Sequence, residues 1–196
     1  LGINTSSLVA LLASAGLAVG MALSGTLQNF AGGVVIMIFR PFKVGDYISA
    51  QGQEGTVKEI QIFNTIVKTP DQKVIVVPNT DLATKTLTNY SRSEIRRVDV
   101  SVGIAYGESV DKTRDIILNM ASAYQLVVAE PAPVVVVTDL GDSSVNLQLR
   151  VWVKNADYWD AFFYLNQAVY DELNKAGIEI PFNQMDVHLI SSEPQK

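Results

Sequence analysis

The N-terminal segment of the chain carries no ionisable side chain. From Leu1 to Phe39 there is no Asp, Glu, Lys, Arg or His, and every charged residue lies between Arg40 and Lys196. A helix of about 20 apolar residues crosses the hydrocarbon core of a bilayer, and the run from Leu8 to Leu23 with its small flanking residues approaches that length. This sharp boundary predicts a membrane-embedded N-terminal end. A secretory signal peptide is the weaker interpretation, because the segment is too long and lacks a basic start.

The charge-free segment is longer than one straight crossing needs, since a helix rises about 1.5 Å per residue and the hydrocarbon core is about 30 Å thick. We therefore expect two helices, with the break at Gly25 or at Gly32–Gly33. Pro41 would end the second helix, and the cations Arg40 and Lys43 beside it favour a cytoplasmic location for the residues after Arg40. Because the sequence starts without methionine, we also expect a longer protein with preceding membrane helices.

A helical projection divides the surface of the first helix into four strips. Gly16 and Gly20 form a glycine stripe, and Leu17 and Met21 form the next strip. The flanking strip holds Ser14, Ala18 and Ala22, and the remaining face holds Leu8, Leu12, Ala15, Val19 and Leu23. Small residues on both sides of a Leu/Met strip are typical of identical helices packed around an axis, with that strip lining a hydrophobic gate. The alternative is an ordinary contact between two helices through a small-xxx-small motif.

The composition disfavours several classes of function. The 15 Lys+Arg against 20 Asp+Glu give a net charge of −5, which makes nucleic acid a poor partner. No cysteine is present, and His188 is the single histidine, so we expect neither a metal site nor a catalytic triad. The acidic residues of the central region have no apolar pocket signal around them, and Gly141–Ser144 lacks the spacing of a phosphate-binding loop and predicts a turn. We expect no enzyme and no cofactor.

Short β-type runs separated by turn residues follow the charge-free segment. Strands are predicted at Val44–Ala50, Gly55–Ile62, Thr65–Thr69 and Val74–Val77. Five short strands in this region could curl into a small barrel-like β domain.

The last hundred residues predict a second, α+β domain. Alternating apolar residues mark strands around Val98–Ile104 and Val145–Val153, and Val134–Val137 and Met185–Ile190 are shorter candidates. Ser109 and Asp157 can cap two intervening helices, the second of which would end before Gly177. The order β-α-β-β-α-β is ferredoxin-like. The fold class is thus a membrane helix followed by α+β domains, divided into residues 1–39, 40–91, 92–183 and a C-terminal strand and tail at 184–196.

Five short motifs occur in one order along the chain. They are Gly16-Leu-Ala-Val-Gly20, Arg40-Pro-Phe with Gly45-Asp46, Gly55-Thr-Val57, Val77-Pro-Asn79, and Ile178-Glu-Ile-Pro-Phe182 with Met185-Asp-Val-His-Leu189. Together they resemble the mechanosensitive channel of small conductance family, MscS, over essentially the whole chain.

The resemblance implies a homoheptamer in the cytoplasmic (inner) membrane that opens under tension and relieves hypo-osmotic stress. Its partners would be identical subunits, membrane lipid, and permeating ions and small solutes. By position, Leu17 and Met21 match the pore-closing rings, although the family usually has leucine at the lower ring. Gly25 and Gly33 match hinges, Asn29 and Phe63 match positions that couple the helix to the β domain, and Thr80 stands where the family has glycine.

Two other functions are compatible with parts of the sequence. The apolar helix would merely anchor the chain if the soluble domains formed an interaction scaffold without a pore. An RNA-binding module follows only from analogy with the ferredoxin-like fold, and the acidic composition opposes it. A tension-dependent unitary current distinguishes the channel from the scaffold.

Overall fold

The computed structural model describes residues 5–188, which divide into two compact units, one ending at Arg92 and one starting at Ser93. The first unit begins with helix α1, which runs from Thr5 to Phe39. Its length and composition are sufficient to cross a membrane. At about 1.5 Å per residue the helix is about 50 Å long, more than the hydrocarbon core requires.

The predicted interruption of this helix is wrong, because α1 is helical through Gly25 and through Gly32–Gly33. A glycine costs a helix about 1 kcal/mol relative to alanine, but it keeps its backbone hydrogen bonds and does not by itself end the helix. The end comes at Arg40, which has φ 47° and donates its N–H to the Ile36 carbonyl at 2.9 Å. Pro41 follows and cannot continue the ladder.

The rest of the first unit is a five-stranded antiparallel sheet in the order β4-β3-β2-β1-β5. Its elements are β1 (Tyr47–Ala50), β2 (Gln53–Ile60), β3 (Asn64–Lys68), β4 (Val74–Pro78), a short helix α2 (Asn79–Thr84) and β5 (Leu87–Asn89). The predicted strands are confirmed with shifted ends, and the sequence did not locate α2 or β5. Gln51 and Gly52, with φ 53° and 74°, make the tight β1–β2 turn.

The core of the first unit joins the helix to the sheet. Ile36 of α1 and Phe42 are each 1% exposed, and they belong to one cluster with Ile48, Val57 and Leu82. The last turns of α1 are therefore part of the β domain's core, whereas residues 5–28 of the helix are exposed.

The second unit is an α+β layer with a three-stranded antiparallel sheet in the order β6-β8-β7. Its elements are β6 (Ile95–Ile104), α3 (Val110–Ala123), β7 (Val134–Leu140), β8 (Val145–Lys154) and α4 (Tyr158–Lys175). The inward side chains of β8 alternate as predicted and are fully buried; they are Leu147, Leu149, Val151 and Val153. The two helices cover this face through Ile117, Leu165 and Leu173.

Most of the local signals in this unit are confirmed. The Ser109 hydroxyl accepts a hydrogen bond from Lys112 N–H and caps α3, and Gly177, with φ 69°, follows the end of α4. Gly141 and Ser144 close the β7–β8 turn through a backbone bond of 2.8 Å. Asp157 occupies the N-cap position of α4, but its side chain makes no capping hydrogen bond, so that expectation is wrong in detail.

The predicted fourth strand, Met185–Ile190, is not formed over residues 185–188, and Leu189 and Ile190 lie outside the described residues. The described part of this segment is exposed, with Met185 at 84%. A strand requires a neighbour to accept its backbone hydrogen bonds, and none is paired with residues 185–188 in the single chain. The ferredoxin-like order is therefore present as β-α-β-β-α in the described part of the chain.

Candidate pore helix and its joint with the β domain

The predicted gate and packing residues lie on the exposed part of α1. Leu17 and Met21 are one helical turn apart, and each is 63% exposed. A Cβ added at Gly16, Gly20 or Gly25 would meet nothing within 4 Å. Ser14, Ala18 and Ala22 are exposed as well. This surface of the helix has no partner in the described chain, so lipid or other protein has to cover it in a membrane.

Three polar side chains of α1 donate hydrogen bonds to carbonyls of the helix itself. Ser14 and Ser24 donate their hydroxyls to the carbonyls of Leu11 and Met21, at 2.8 and 2.9 Å. The Asn29 amide nitrogen donates to the Gly25 carbonyl at 3.1 Å. Donors satisfied within the helix cost little in an apolar environment, so these residues are compatible with a membrane-embedded segment.

At the joint between α1 and the β domain, the backbone of the helix lies very close to the backbone of the β domain. A Cβ at Gly32 would lie 2.8 Å from the Asn79 carbonyl carbon, and a Cβ at Gly33 would lie 2.6 Å from the Ile62 carbonyl oxygen. Side-chain atoms essentially never approach that closely, so only glycine permits this packing. One hydrogen bond crosses the same contact, from Thr80 N–H to the Asn29 side-chain oxygen at 3.1 Å.

Asn79 organises the β-domain side of this joint and was missed as a functional residue by the sequence. Its side chain is fully buried. The amide nitrogen donates to the carbonyls of Gln61 and Ile62 at 2.9 and 3.0 Å, and the amide oxygen accepts from the Thr65 hydroxyl at 2.8 Å. In the sequence, Asn79 stood out only as part of the motif Val77-Pro78-Asn79. That motif indicated the family resemblance but gave no sign of a buried hydrogen-bond network.

Phe63 enters the joint through its backbone. Its carbonyl accepts from Asn79 N–H at 3.0 Å, and its side chain is 45% exposed beside Met37 of α1 in an apolar cleft. The structure thus brings together Asn29, Gly33 and Phe63, which the resemblance had named, and places Leu17, Met21 and Gly25 farther along the same helix.

Clustered metal-ligating side chains and shifted pKa values are the next features to place relative to the helix and its joint. Within residues 5–188, no group of three His, Cys, Asp or Glu side chains could hold a metal ion. The hydrogen bond from Lys73 lowers the pKa of Asp71 below its usual value, helped by the Thr69 hydroxyl, but this pair lies in the exposed β3–β4 turn. Burial raises the pKa of Tyr124 in the second unit.

Two family models match consecutive parts of the chain. The mechanosensitive ion channel β-domain matches residues 25–92, and the mechanosensitive ion channel MscS C-terminal domain matches residues 98–180. A crystal structure of Helicobacter pylori MscS in its closed state has a TM-score of 0.91 and 31% identity, covering 97% of this chain and 76% of that one. The chain belongs to the MscS family.

Curated members of the MscS family are similar over most of the chain. An uncharacterised MscS family protein of Synechocystis is 40% identical over 196 residues, which is 100% of this chain and 66% of that protein. The small-conductance mechanosensitive channel of Edwardsiella ictaluri is 42% identical over 176 residues, which is 90% of this chain and 62% of that protein. The chain therefore spans a little under two thirds of the length of these relatives.

Proposed function

We propose that this chain forms the pore-lining helix and the cytoplasmic domains of an ion channel that membrane tension opens. The observation that carries the proposal is α1, whose residues 5–28 are uncharged and exposed, while its last turns are packed into the core of the β domain. The N-terminal part of such a helix is suited to line a membrane pore, and its C-terminal turns are suited to pack against a soluble domain. Membership of the MscS family supports the same function.

The pore would be a ring of identical subunits, which we propose to be a homoheptamer in the cytoplasmic (inner) membrane. The glycine stripe of Gly16 and Gly20 would receive the small residues Ser14, Ala18 and Ala22 of the neighbouring α1. Leu17 and Met21 would then face the axis as two apolar rings. Such rings exclude water from a narrow lumen and stop ions without a charged plug.

Opening would require α1 to move relative to its neighbours while its last turns stay attached to the β domain. Gly25 and Gly33 are the proposed hinges, and Asn29 and Phe63 the proposed coupling residues. The close packing of Gly33 gives it a second role, since no larger residue fits there. The closed state of the similar Helicobacter pylori structure supports a closed arrangement for this chain.

The open pore would pass ions and small solutes and so relieve hypo-osmotic stress, with the residues after Arg40 in the cytoplasm. No chemical step, cofactor or nucleic acid enters this function. Membrane lipid would transmit the tension to the apolar face of α1, which carries Leu8, Leu12, Ala15, Val19 and Leu23.

The direct test is patch recording of the full-length protein reconstituted in liposomes of one lipid. We expect unitary currents that appear above a threshold of suction and vanish when suction is released. Protein-free liposomes are the control, and native mass spectrometry of the same preparation measures the number of subunits. Intact oligomers without tension-dependent current would contradict the channel function and favour a membrane-anchored scaffold.

A further inference from the structure

The four methionines of the chain have four different environments. Met21 lies on the exposed part of α1 and is the one methionine of residues 5–28, with its side chain 63% exposed. Met37 lies near the end of the same helix, beside the β domain. Met120 is partly buried against the core of the second unit, and Met185 is exposed in the C-terminal segment. Met21 therefore holds the one sulfur atom on the part of α1 that the proposed function places in the membrane.

Small neighbours leave the sulfur of Met21 uncovered by its own helix. Ala18 lies about one turn before it and Gly25 about one turn after it, and these are the positions whose side chains would contact it. A Cβ at Gly25 would meet nothing within 4 Å. Methionine is also unbranched and flexible, so its sulfur can turn towards the helix surface. The thioether is open to any small solute that reaches this face of α1.

A methionine thioether reacts with hydrogen peroxide. The O–O bond of the peroxide breaks, one oxygen atom is transferred to Sδ, and the other leaves as water. Sulfur loses two electrons and the peroxide gains them. The product is methionine sulfoxide, which is polar and chiral and which methionine sulfoxide reductases return to the thioether. The chain contains no cysteine, so methionine holds all of its sulfur.

The helix offers no hydrogen-bond partner to a sulfoxide at position 21. The new oxygen is an acceptor, and the neighbouring Leu17, Ala18 and Gly25 have no side-chain donor. Ser24 has a hydroxyl, but this group donates to the Met21 carbonyl at 2.9 Å. An unpaired polar oxygen is unfavourable in an apolar environment. The oxidised side chain therefore requires water.

We propose that Met21 is an oxidation site through which hydrogen peroxide lowers the tension that opens the pore. The proposal rests on the proposed function, in which Leu17 and Met21 form the two apolar rings of the gate. Each oxidised subunit places a water-binding oxygen in a lumen that has to be dry to stay closed. Peroxide is small and uncharged and reaches Met21 through the water of the lumen. Oxidation is therefore fastest while the pore is open, and it makes the next opening easier.

The first measurement is the modification itself. The full-length protein in liposomes is exposed to increasing doses of hydrogen peroxide, and peptide mapping by mass spectrometry quantifies the sulfoxide at each methionine. We expect Met21 to be converted at lower doses than Met120, which packs against the core of the second unit. Conversion of Met21 only together with Met120, or after it, would show that the Met21 sulfur is shielded and would overturn the proposal.

The second measurement is the opening pressure of each patch before and after peroxide. We expect the wild-type pressure to fall towards that of Met21→Asn and to recover after treatment with methionine sulfoxide reductases and dithiothreitol, whose thiols supply the two electrons. Met21→Leu has nearly the same volume and no sulfur, so its opening pressure should not respond to peroxide. Met37→Leu removes the other thioether of α1 and should respond as the wild type does.

Two results of the recordings would overturn the proposal. The opening pressure could stay the same or rise although Met21 is converted, which would show that its polarity does not control the gate. Met21→Leu could respond as strongly as the wild type, which would place the oxidised residue elsewhere in the protein. Failure of the channel function is a separate result, because it would appear as the absence of tension-dependent current before any peroxide is added.

Discussion

The backbone N–H of Thr80 donates to the side-chain oxygen of Asn29 across 3.1 Å, and this bond ties α1 to the first turn of α2. The Asn29 amide nitrogen meanwhile bonds to the Gly25 carbonyl one turn back in the helix. A single hydrogen bond of this kind contributes about 1 kcal/mol. It is strong enough to bias the position of α1 and weak enough to break and re-form in the proposed gating movement.

Asn29→Ala should therefore lower the tension at which the channel opens, because it removes the acceptor for Thr80 N–H in the proposed closed arrangement. Asn29→Asp is the matched control, since its carboxylate can still accept that bond. Patch recordings of opening pressure in one lipid measure the difference. Equal thresholds for the alanine and aspartate variants would show that the bond does not couple helix and β domain.

Gly33→Ala should destabilise the protein by about 1–3 kcal/mol, because its Cβ would overlap the Ile62 carbonyl oxygen in a packed contact. Gly25→Ala is the control on the same helix, where a Cβ meets nothing within 4 Å and helix propensity improves by about 1 kcal/mol. Thermal unfolding of the full-length protein in detergent measures both. If the two substitutions had the same effect, close packing at Gly33 would not contribute to stability.

Asn79→Ala should reduce the free energy of unfolding by about 1–3 kcal/mol, since it removes the partner of the buried Thr65 hydroxyl and of the partly buried carbonyls of Gln61 and Ile62. Thr80→Val is the neighbouring control, because the buried Thr80 hydroxyl has no hydrogen-bond partner in the described part of the chain. Removing it should leave the unfolding temperature unchanged or slightly raised. A loss of stability at Thr80 that matched the loss at Asn79 would contradict the network assigned to Asn79.

The packing seam of the proposed ring can be tested on adjacent residues of one helix turn. Gly20→Leu places a bulky side chain in the small-residue stripe and should impair assembly or gating, whereas Val19→Leu adds one methylene on the proposed lipid-facing side and should be tolerated. Subunit number and opening pressure are the measurements. Similar behaviour of the two variants would argue against the division of α1 into a small-residue packing seam and a lipid-facing side.

Elements with a clear period were predictable from the sequence, and the strand β8 shows why. Leu147, Leu149, Val151 and Val153 occupy every second position of the strand, and burial follows that alternation residue by residue. The three residues of β5 and the six of α2 are too short to establish a period. The continuous α1 was mispredicted because the segment's length beyond one membrane crossing was taken to require a break, with the glycines as its place.

The joint was only partly predictable, for a different reason. Asn79 bonds to Thr65 and Gln61, which are 14 and 18 residues away, so no local pattern in the sequence reveals the contact. Gly33 was expected as a hinge, but a sequence cannot distinguish a flexible glycine from one that permits close approach. Asn29 could be assigned only through the family resemblance, since its partner is the backbone of Thr80.

The last prediction concerns the proposed gate, where the polarity of the side chains at Leu17 and Met21 is the quantity that is changed. Both side chains are exposed along one face of α1, so a polar replacement there disturbs no packing within the described chain. Leu17→Ser or Met21→Asn would give water a partner in the closed lumen and reduce the advantage of the dry state. The channel should then leak or open at lower tension.

Met21→Leu is the control for this experiment, because it nearly conserves volume and apolarity while it reduces side-chain flexibility. It should open at a similar or higher tension than the unmodified channel. Opening pressure is measured in one lipid for the unmodified protein, Leu17→Ser, Met21→Asn and Met21→Leu, at equal amounts of oligomer. The comparison separates the effect of side-chain polarity from the effect of side-chain size. If the polar substitutions left the threshold unchanged or raised it, the constriction would have to lie at other residues of α1.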